Sequence, residues 1–369
     1  MARSGSIHAV RVGGRTGSGR RILGAALVLA LLGVPASAVH GDQAALGLCT
    51  GAEPRPCSSA STLYRAGPLV FDLNSGSGAA RDARPGLDAR TVRNRSLLIG
   101  TGTVALTIAV GWMAWWVPEN RRSFHIANEG WFDRDTYSGG ADKASHFVLA
   151  AMAQELLTSA FRKAGQDEAA ANWWALGSVS IAGLALEVGD GSSIFGASWE
   201  DAVTNVAGSA TQMVLNRAHL NDTIGFRMGK VKRRIPPPCC RADNYGTDYS
   251  SQIYMADLKL AGFLPRVGVE PGAGRFLLLS VTYGSKGYRY SGDEWRQRNL
   301  GADVGLNVPE ILRALGVRDD SWWGKPLLTF LTYFRIPYTA FGWRYDFNSR
   351  RWSGPDTGDR FDPGAIIYD

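Results

Sequence analysis

Asp142-Lys143-Ala144-Ser145-His146-Phe147-Val148-Leu149-Ala150 is the stretch on which the fold turns. Its polar start leads into an apolar run that predicts a helix over Lys143–Lys163. Asp142 caps that helix or sits in its first turn, where a carboxylate favours the positive helix end. His146 is four residues on and shares a face with Asp142. Two further polar groupings stand at matching places. Glu187-Val188-Gly189-Asp190 closes a helix expected over Asn172–Val188, and Ser198-Trp199-Glu200-Asp201, then Asn205 and Gly208, opens one over Trp199–Ala218. The residues between are rich in Ala, Leu, Val, Gly and Trp. The polar groups are therefore expected to face one another at one end of a helical bundle, a setting where ionisable groups are costly to bury and usually paired or functional.

Asp201, Asn205, Gly208, Ser209 and Gln212 form one polar and small stripe at helical spacing. Stripes of this kind let helices approach closely in membranes. Upstream, Ser96–Val117 runs without a charge and ends in Trp112, Trp115 and Trp116 before Pro118. That length suits a membrane span of about 20 residues, with tryptophans at the interface. Helices two to four are interrupted by Gln154, Glu155 and Glu187, so short membrane helices and a bundle docked at the surface both stay open. The fold expected is mainly α, a membrane-associated four-helix bundle followed by a small β-containing C-terminal region.

At the N-terminus, a basic region ending at Arg20-Arg21 precedes an apolar run, Ile22–Gly33, then Pro35 and Ala36-Ser37-Ala38. This reads as a secretory signal peptide over 1–38. The five arginines in it account for most of the net charge of +7, so the basic balance is a property of the leader and nucleic-acid binding is not expected. Residues 39–95 are Gly-, Ala-, Arg- and Asp-rich and read as a flexible exported segment. Cys49 and Cys57 could close a small disulfide loop outside the cytoplasm, whereas adjacent Cys239-Cys240 are poorly placed to bridge each other. The bundle is expected over 96–220 and a basic, proline-rich linker over 221–249, carrying Lys230–Arg234 and Pro236-Pro237-Pro238. An α+β region follows over 250–369. In it Phe276–Tyr283 and Leu300–Val308 alternate, with Leu279, Val281, Leu300, Val304 and Leu306 on the expected buried faces. About four strands are expected in all, fewer than the eight of the smallest outer-membrane barrels.

Glu129-Gly130-Trp131-Phe132, Thr136-Tyr137, Gly139-Gly140, Asp142-Lys143 and His146-Phe147 resemble the signature of the YfiM-like family, and Glu187, Asp190-Gly191, Ser198, Glu200-Asp201, Asn205 and Gly208 continue it in order. More distantly, the layout resembles the VanZ-like membrane proteins, a family linked to glycopeptide tolerance. The likeness covers about Glu129–Gly208, with Tyr283-Gly284 and Gly305-Leu306-Asn307 resembling an extension of some members. It implies a bacterial envelope protein, some members being predicted periplasmic lipoproteins, and brings no assigned activity. Two departures stand out. No small residue precedes Cys49 as a lipidation signal requires, and the C-terminal extension is long. Anchoring through a helix, in the inner membrane, is therefore expected.

The candidate site residues are Asp142, Lys143, His146, Glu187, Asp190, Asp201 and Asn205. Oxygen-rich ligands with one imidazole suit Mg²⁺ or Mn²⁺ better than zinc. A metal-bound water could then attack a lipid phosphate or ester, or His146 could act as a general base. The alternative is a buried network in which Lys143 pairs with Glu187 or Asp190 and His146 bonds Asn205 or Asp201, fixing helix register. The expected partner is a membrane lipid or lipid-linked glycan. A hydrolase or transferase on a phosphorylated lipid and a scaffold in an envelope protein complex are the alternatives.

Overall fold

A computed structural model describes residues 87–230, 232–233, 249–288, 296–358 and 360–361. The expected signal peptide, most of the exported segment, all four cysteines and the triple proline lie outside them, as do Val231 and Arg234 of the basic run.

Four long helices come first. Helix α1 (Ala89–Ala114) starts earlier than the charge-free run, because Asp88 caps it by accepting the Thr91 amide at 3.0 Å. Helix α2 (Ala141–Ala164) is bounded by Gly140 and Gly165, both left-handed, with φ of 84° and 108°. Asp167 caps α3 (Glu168–Gly191) through the Ala170 amide, and Ser198 caps α4 (Trp199–Arg217) through the Asp201 amide. α2 packs on both α3 and α4, and α1 lies mainly along α3. The α2–α4 crossing is close: a Cβ at Gly208 would lie 2.1 Å from the Phe147 carbonyl oxygen. Phe161, Ala171 and Ala175 form one buried cluster between α2 and α3.

Seven strands form one sheet: β1 (Ile224–Lys230), β3 (Gln252–Lys259), β4 (Leu277–Lys286), β5 (Gln297–Leu306), β6 (Phe334–Arg335), β7 (Ala340–Asp346) and β8 (Arg351–Asp356), in the order β6-β1-β3-β4-β5-β7-β8. All neighbours are antiparallel except β1 and β6. Short helices α5 (Leu260–Arg266), α6 (Val308–Ala314) and α7 (Gly324–Tyr333) connect them. Two-residue strands β2 (Lys232–Arg233) and β9 (Arg360–Phe361), which follow β1 and β8, pair in parallel. The sheet curls strongly. Arg335 on one edge donates to the Thr357 carbonyl just past the other edge at 2.6 Å, and reaches Asp303 of β5 at 3.6 Å. One end of the sheet's apolar face packs on α2, where Met228, Tyr254 and Tyr333 meet Ala141, Val148 and Met152.

These facts correct the expected fold class. The chain is not a mainly-α membrane bundle with a small β appendage. Among the described residues it has seven α-helices and a seven-stranded mixed sheet, and only α1 and α3 are long and apolar enough to cross a membrane. Strand β1 occupies part of the stretch read as linker. The strands also bury the face opposite to the one expected. Val281 is 57% exposed and Trp343 51%, while Asp303 on the opposite face is 3% exposed. The concave side of the curled sheet holds paired charges: Arg227 grips Asp257, which also accepts from Ser280 at 2.5 Å. Arg344 donates to both Asp303 oxygens at 3.0 and 2.8 Å. Alternation locates a strand but does not say which face is inward when charges on one face can pair with each other.

Candidate functional site

The loop between α1 and α2 is laced to the α3–α4 connection by backbone bonds. His125 donates to Gly191, and Ala127 and Ala197 bridge through their main chains. The Gly130 amide donates to Glu200 at 3.3 Å. This lacing brings Glu129 onto the three helix ends, so that the start of α2, the end of α3 and the start of α4 share one polar cluster with it.

At the centre stands Lys143, 1% exposed. Its ammonium lies 2.5 Å from Glu129, 2.8 Å from Asp142 and 2.8 Å from Asp201, and donates weakly to Ser198 at 3.4 Å. The Asp201 contact is an ion pair without hydrogen-bond alignment, since Asp201 Oδ1 has no hydrogen-bond partner. Ser138 accepts the Asp142 amide at 3.0 Å and donates its hydroxyl to the Asp142 carboxylate. Lys143 therefore pairs with neither Glu187 nor Asp190, which corrects the pairing expected for a structural network. The reason is reach: the residue that comes forward to meet it, Glu129, lies on the laced loop.

One ammonium cannot balance three carboxylates in a site shielded from water. Burial, and next the Asp201 carboxylate, push the Glu129 carboxyl up to about 9 despite Lys143. Burial would also raise Asp142, but the Lys143 ammonium and the Lys143 and Ser138 hydrogen bonds outweigh it and hold Asp142 below the usual carboxylate range. Burial opposes the charge on Lys143, and Asp142, Asp201 and Glu129 together overcome it, raising the amine above its ordinary value. Glu129 thus keeps a proton through neutral pH.

Beside this group lies a second one. The His146 Nδ1 is 3.2 Å from Asn205 Oδ1, and its Nε2 is 3.7 Å from Asp201 Oδ2. Glu187 Oε2 accepts the Ser198 amide at 2.9 Å, and its Oε1 is buried with no hydrogen-bond partner, as is Asn205 Nδ2. His146, Glu187 and Asp201 each offer a ligand atom within 4.8 Å of the others. Glu129, Asp142 and Asp201 do so as well, but there the Lys143 ammonium already takes the cation's place. Asp190 accepts from the Trp116 indole at 2.7 Å, tying the cluster to the aromatic end of α1.

The structure thus brings all seven sequence-derived residues to one end of the helical group. It adds Glu129, Ser138, Ser198 and Trp116. Glu129 and Ser198 stood in the sequence motif; nothing in the spacing showed that they would be bonded to Lys143. A cavity of about 610 Å³ opens elsewhere, among Arg162, Glu168, Asn172, Asn216 and His219, and does not reach the cluster.

With that geometry in hand, the comparisons add a class. Residues 128–217 match the family described as "Predicted periplasmic lipoprotein (DUF2279)". The matched stretch carries Glu129, α2, α3 and α4, which is the cluster without Trp116, and ends before β1. It supports an envelope protein with membrane anchoring; the finer likeness to YfiM-like and VanZ-like proteins is not part of what it shows. No curated protein and no solved structure matches the chain.

Proposed function

We propose that this envelope protein is anchored in the inner membrane by α1 and handles the polar part of an envelope lipid or lipid-linked glycan at the cluster. One observation carries the reading: Trp112, near the end of the apolar α1, is 59% exposed, and the buried Trp116 just past that end donates its indole N–H to Asp190. Tryptophans at the end of an apolar helix mark the membrane–water boundary. Asp190 and its neighbours His146 and Glu187 then lie at headgroup depth. Arg121, stacked over Trp112 at 4.7 Å, supplies a cation on the same level. The apolar convex face of the sheet supports a lipid-adjacent position, because exposed apolar area of this extent marks a membrane or partner contact.

The Lys143 half of the cluster favours a second, structural role. Its ammonium is enclosed by groups of the chain itself, which suits fixing the loop and helices in register.

A photocrosslinking residue at Phe124, whose ring packs against Gly191 and is itself exposed, tests the lipid reading in cells. Lipid or glycolipid adducts are expected, absent from the same probe at Leu315. Adducts to protein alone would favour the scaffold alternative and overturn the lipid one.

A further inference from the structure

We infer that His146, Glu187 and Asp201 bind one divalent transition-metal ion, with Asn205 orienting the imidazole. Four observations meet here. His146 Nδ1 lies 3.2 Å from Asn205 Oδ1, and in the tautomer that donates from Nδ1 to this oxygen Nε2 presents a lone pair. A ligating histidine is held in the same way, by an acceptor on its other ring nitrogen. That lone pair faces Asp201 Oδ2, another acceptor, at 3.7 Å. Glu187, 94% buried by its 6% exposure, has Oε1 without a partner although Ser198 fixes Oε2. The three donors lie within 4.8 Å of one another.

A buried imidazole and two carboxylates this close need a proton or a cation shared among them. Lys143 does not serve: its contacts are Glu129, Asp142, Ser198 and the other Asp201 oxygen. Asp201 therefore stands between two cation positions, with Oδ1 toward the ammonium and Oδ2 toward the inferred ion. Bonds of about 2.1 Å bring donors to roughly 3–4 Å from one another, within reach of small side-chain adjustments from the present spacing. With two carboxylate oxygens and one imidazole, these three donors are a smaller and more nitrogen-rich set than the one expected from the sequence, and suit Zn²⁺ as well as Mn²⁺. His146 keeps 16% of its side chain exposed, which gives the ion a route in. The inference uses the cluster of the lipid reading but not the lipid. With the ion in place, open coordination positions would take oxygen ligands such as those of a phosphate.

The test uses the full chain in mild detergent, stripped with a chelator and titrated with Mn²⁺ followed by the electron paramagnetic resonance of the free ion, then with Zn²⁺ in competition. One saturable site with a Kd tighter than about 100 μM is expected for either ion. Asn205→Ala should weaken it about 10- to 100-fold. Glu187→Gln and His146→Gln should each abolish it, and Asp319→Asn, on the exposed surface, should change nothing. Near-ultraviolet circular dichroism establishes that each variant is folded; where a ligand variant is not, the Asn205→Ala shift decides. No saturable uptake of either ion by folded wild type, or uptake unchanged in the Glu187, His146 and Asn205 variants, overturns the inference. Because no lipid is present, the result is independent of the crosslinking outcome.

Discussion

Lys143→Met keeps most of the side-chain volume and removes the ammonium that Glu129, Asp142 and Asp201 share. Removing one partner of a buried ion pair costs about 3–5 kcal/mol, chiefly because the remaining charge stays buried without compensation. Here three carboxylates are left, of which Glu129 is already protonated at neutral pH. Asp142, held low by Lys143 and Ser138, would rise once the ammonium is gone, each unit of rise corresponding to about 1.4 kcal/mol. A carboxyl whose folded value lies above its unfolded one contributes most at low pH and loses that contribution as pH rises. The deficit of the variant is therefore expected at about 3–5 kcal/mol near pH 8 and should shrink toward pH 5. Guanidinium unfolding of the full chain in mild detergent, followed by tryptophan fluorescence, measures it. A loss below about 1 kcal/mol at pH 8, or a loss equal at both pH values, would refute the account of Lys143 as the buried counter-charge.

Glu129→Gln mimics the protonated acid. Wild type should lose the Glu129 contribution as pH climbs from the ordinary value of 4.5 through about 9, and the variant should melt with a flatter pH profile; identical profiles between pH 5 and 9 would count against the raised carboxyl. Gly208→Ala gains about 1 kcal/mol of helix propensity but meets the Phe147 carbonyl, so a net loss of about 1–3 kcal/mol is expected; a rise in melting temperature would mean that α2 and α4 separate easily. Asp303→Leu strips the acceptor from Arg344 and Arg335 inside the curled sheet and should cost about 3–5 kcal/mol, measured as a shift in the unfolding midpoint. Trp116→Phe deletes the indole donor to Asp190 and should cost about 1.5–3 kcal/mol, as for a hydrogen bond to a charged group; its crosslinking pattern at Phe124 should also weaken.

Much of the helical half was legible because its signals are local. Asp142, Glu187 and Ser198 stand at helix ends, and the stripe from Asp201 to Gln212 repeats at helical spacing, so the helices and their shared polar end follow from periodicity. The sheet was less legible for a physical reason. β1 carries Gly225, Arg227 and Gly229 toward its concave side, and a charged, glycine-rich strand reads as linker until its partner Asp257 is known. The inverted faces of β4 and β5 have the same origin: Leu279 and Val304 lie outward because Asp303 finds Arg344 only through the fold. Glu129 was visible as a motif residue, but its place beside Lys143 depends on the lacing of residues 121–130 to the α3–α4 connection, which has no periodic signal.

The enclosure of Lys143 has a chemical consequence. Amine-reactive reagents need an uncharged, solvent-reachable nitrogen, and this one is 1% exposed and held charged by its neighbours. In the native protein it should escape acylation under conditions that modify surface amines such as that of Lys325, which lies on an exposed stretch. It becomes reactive only when the loop bearing Glu129 lifts or the helices part. Peptide mapping of acyl adducts at Lys143 would thus report opening of the cluster, at a rate set by the protein alone where acylation outpaces reclosing.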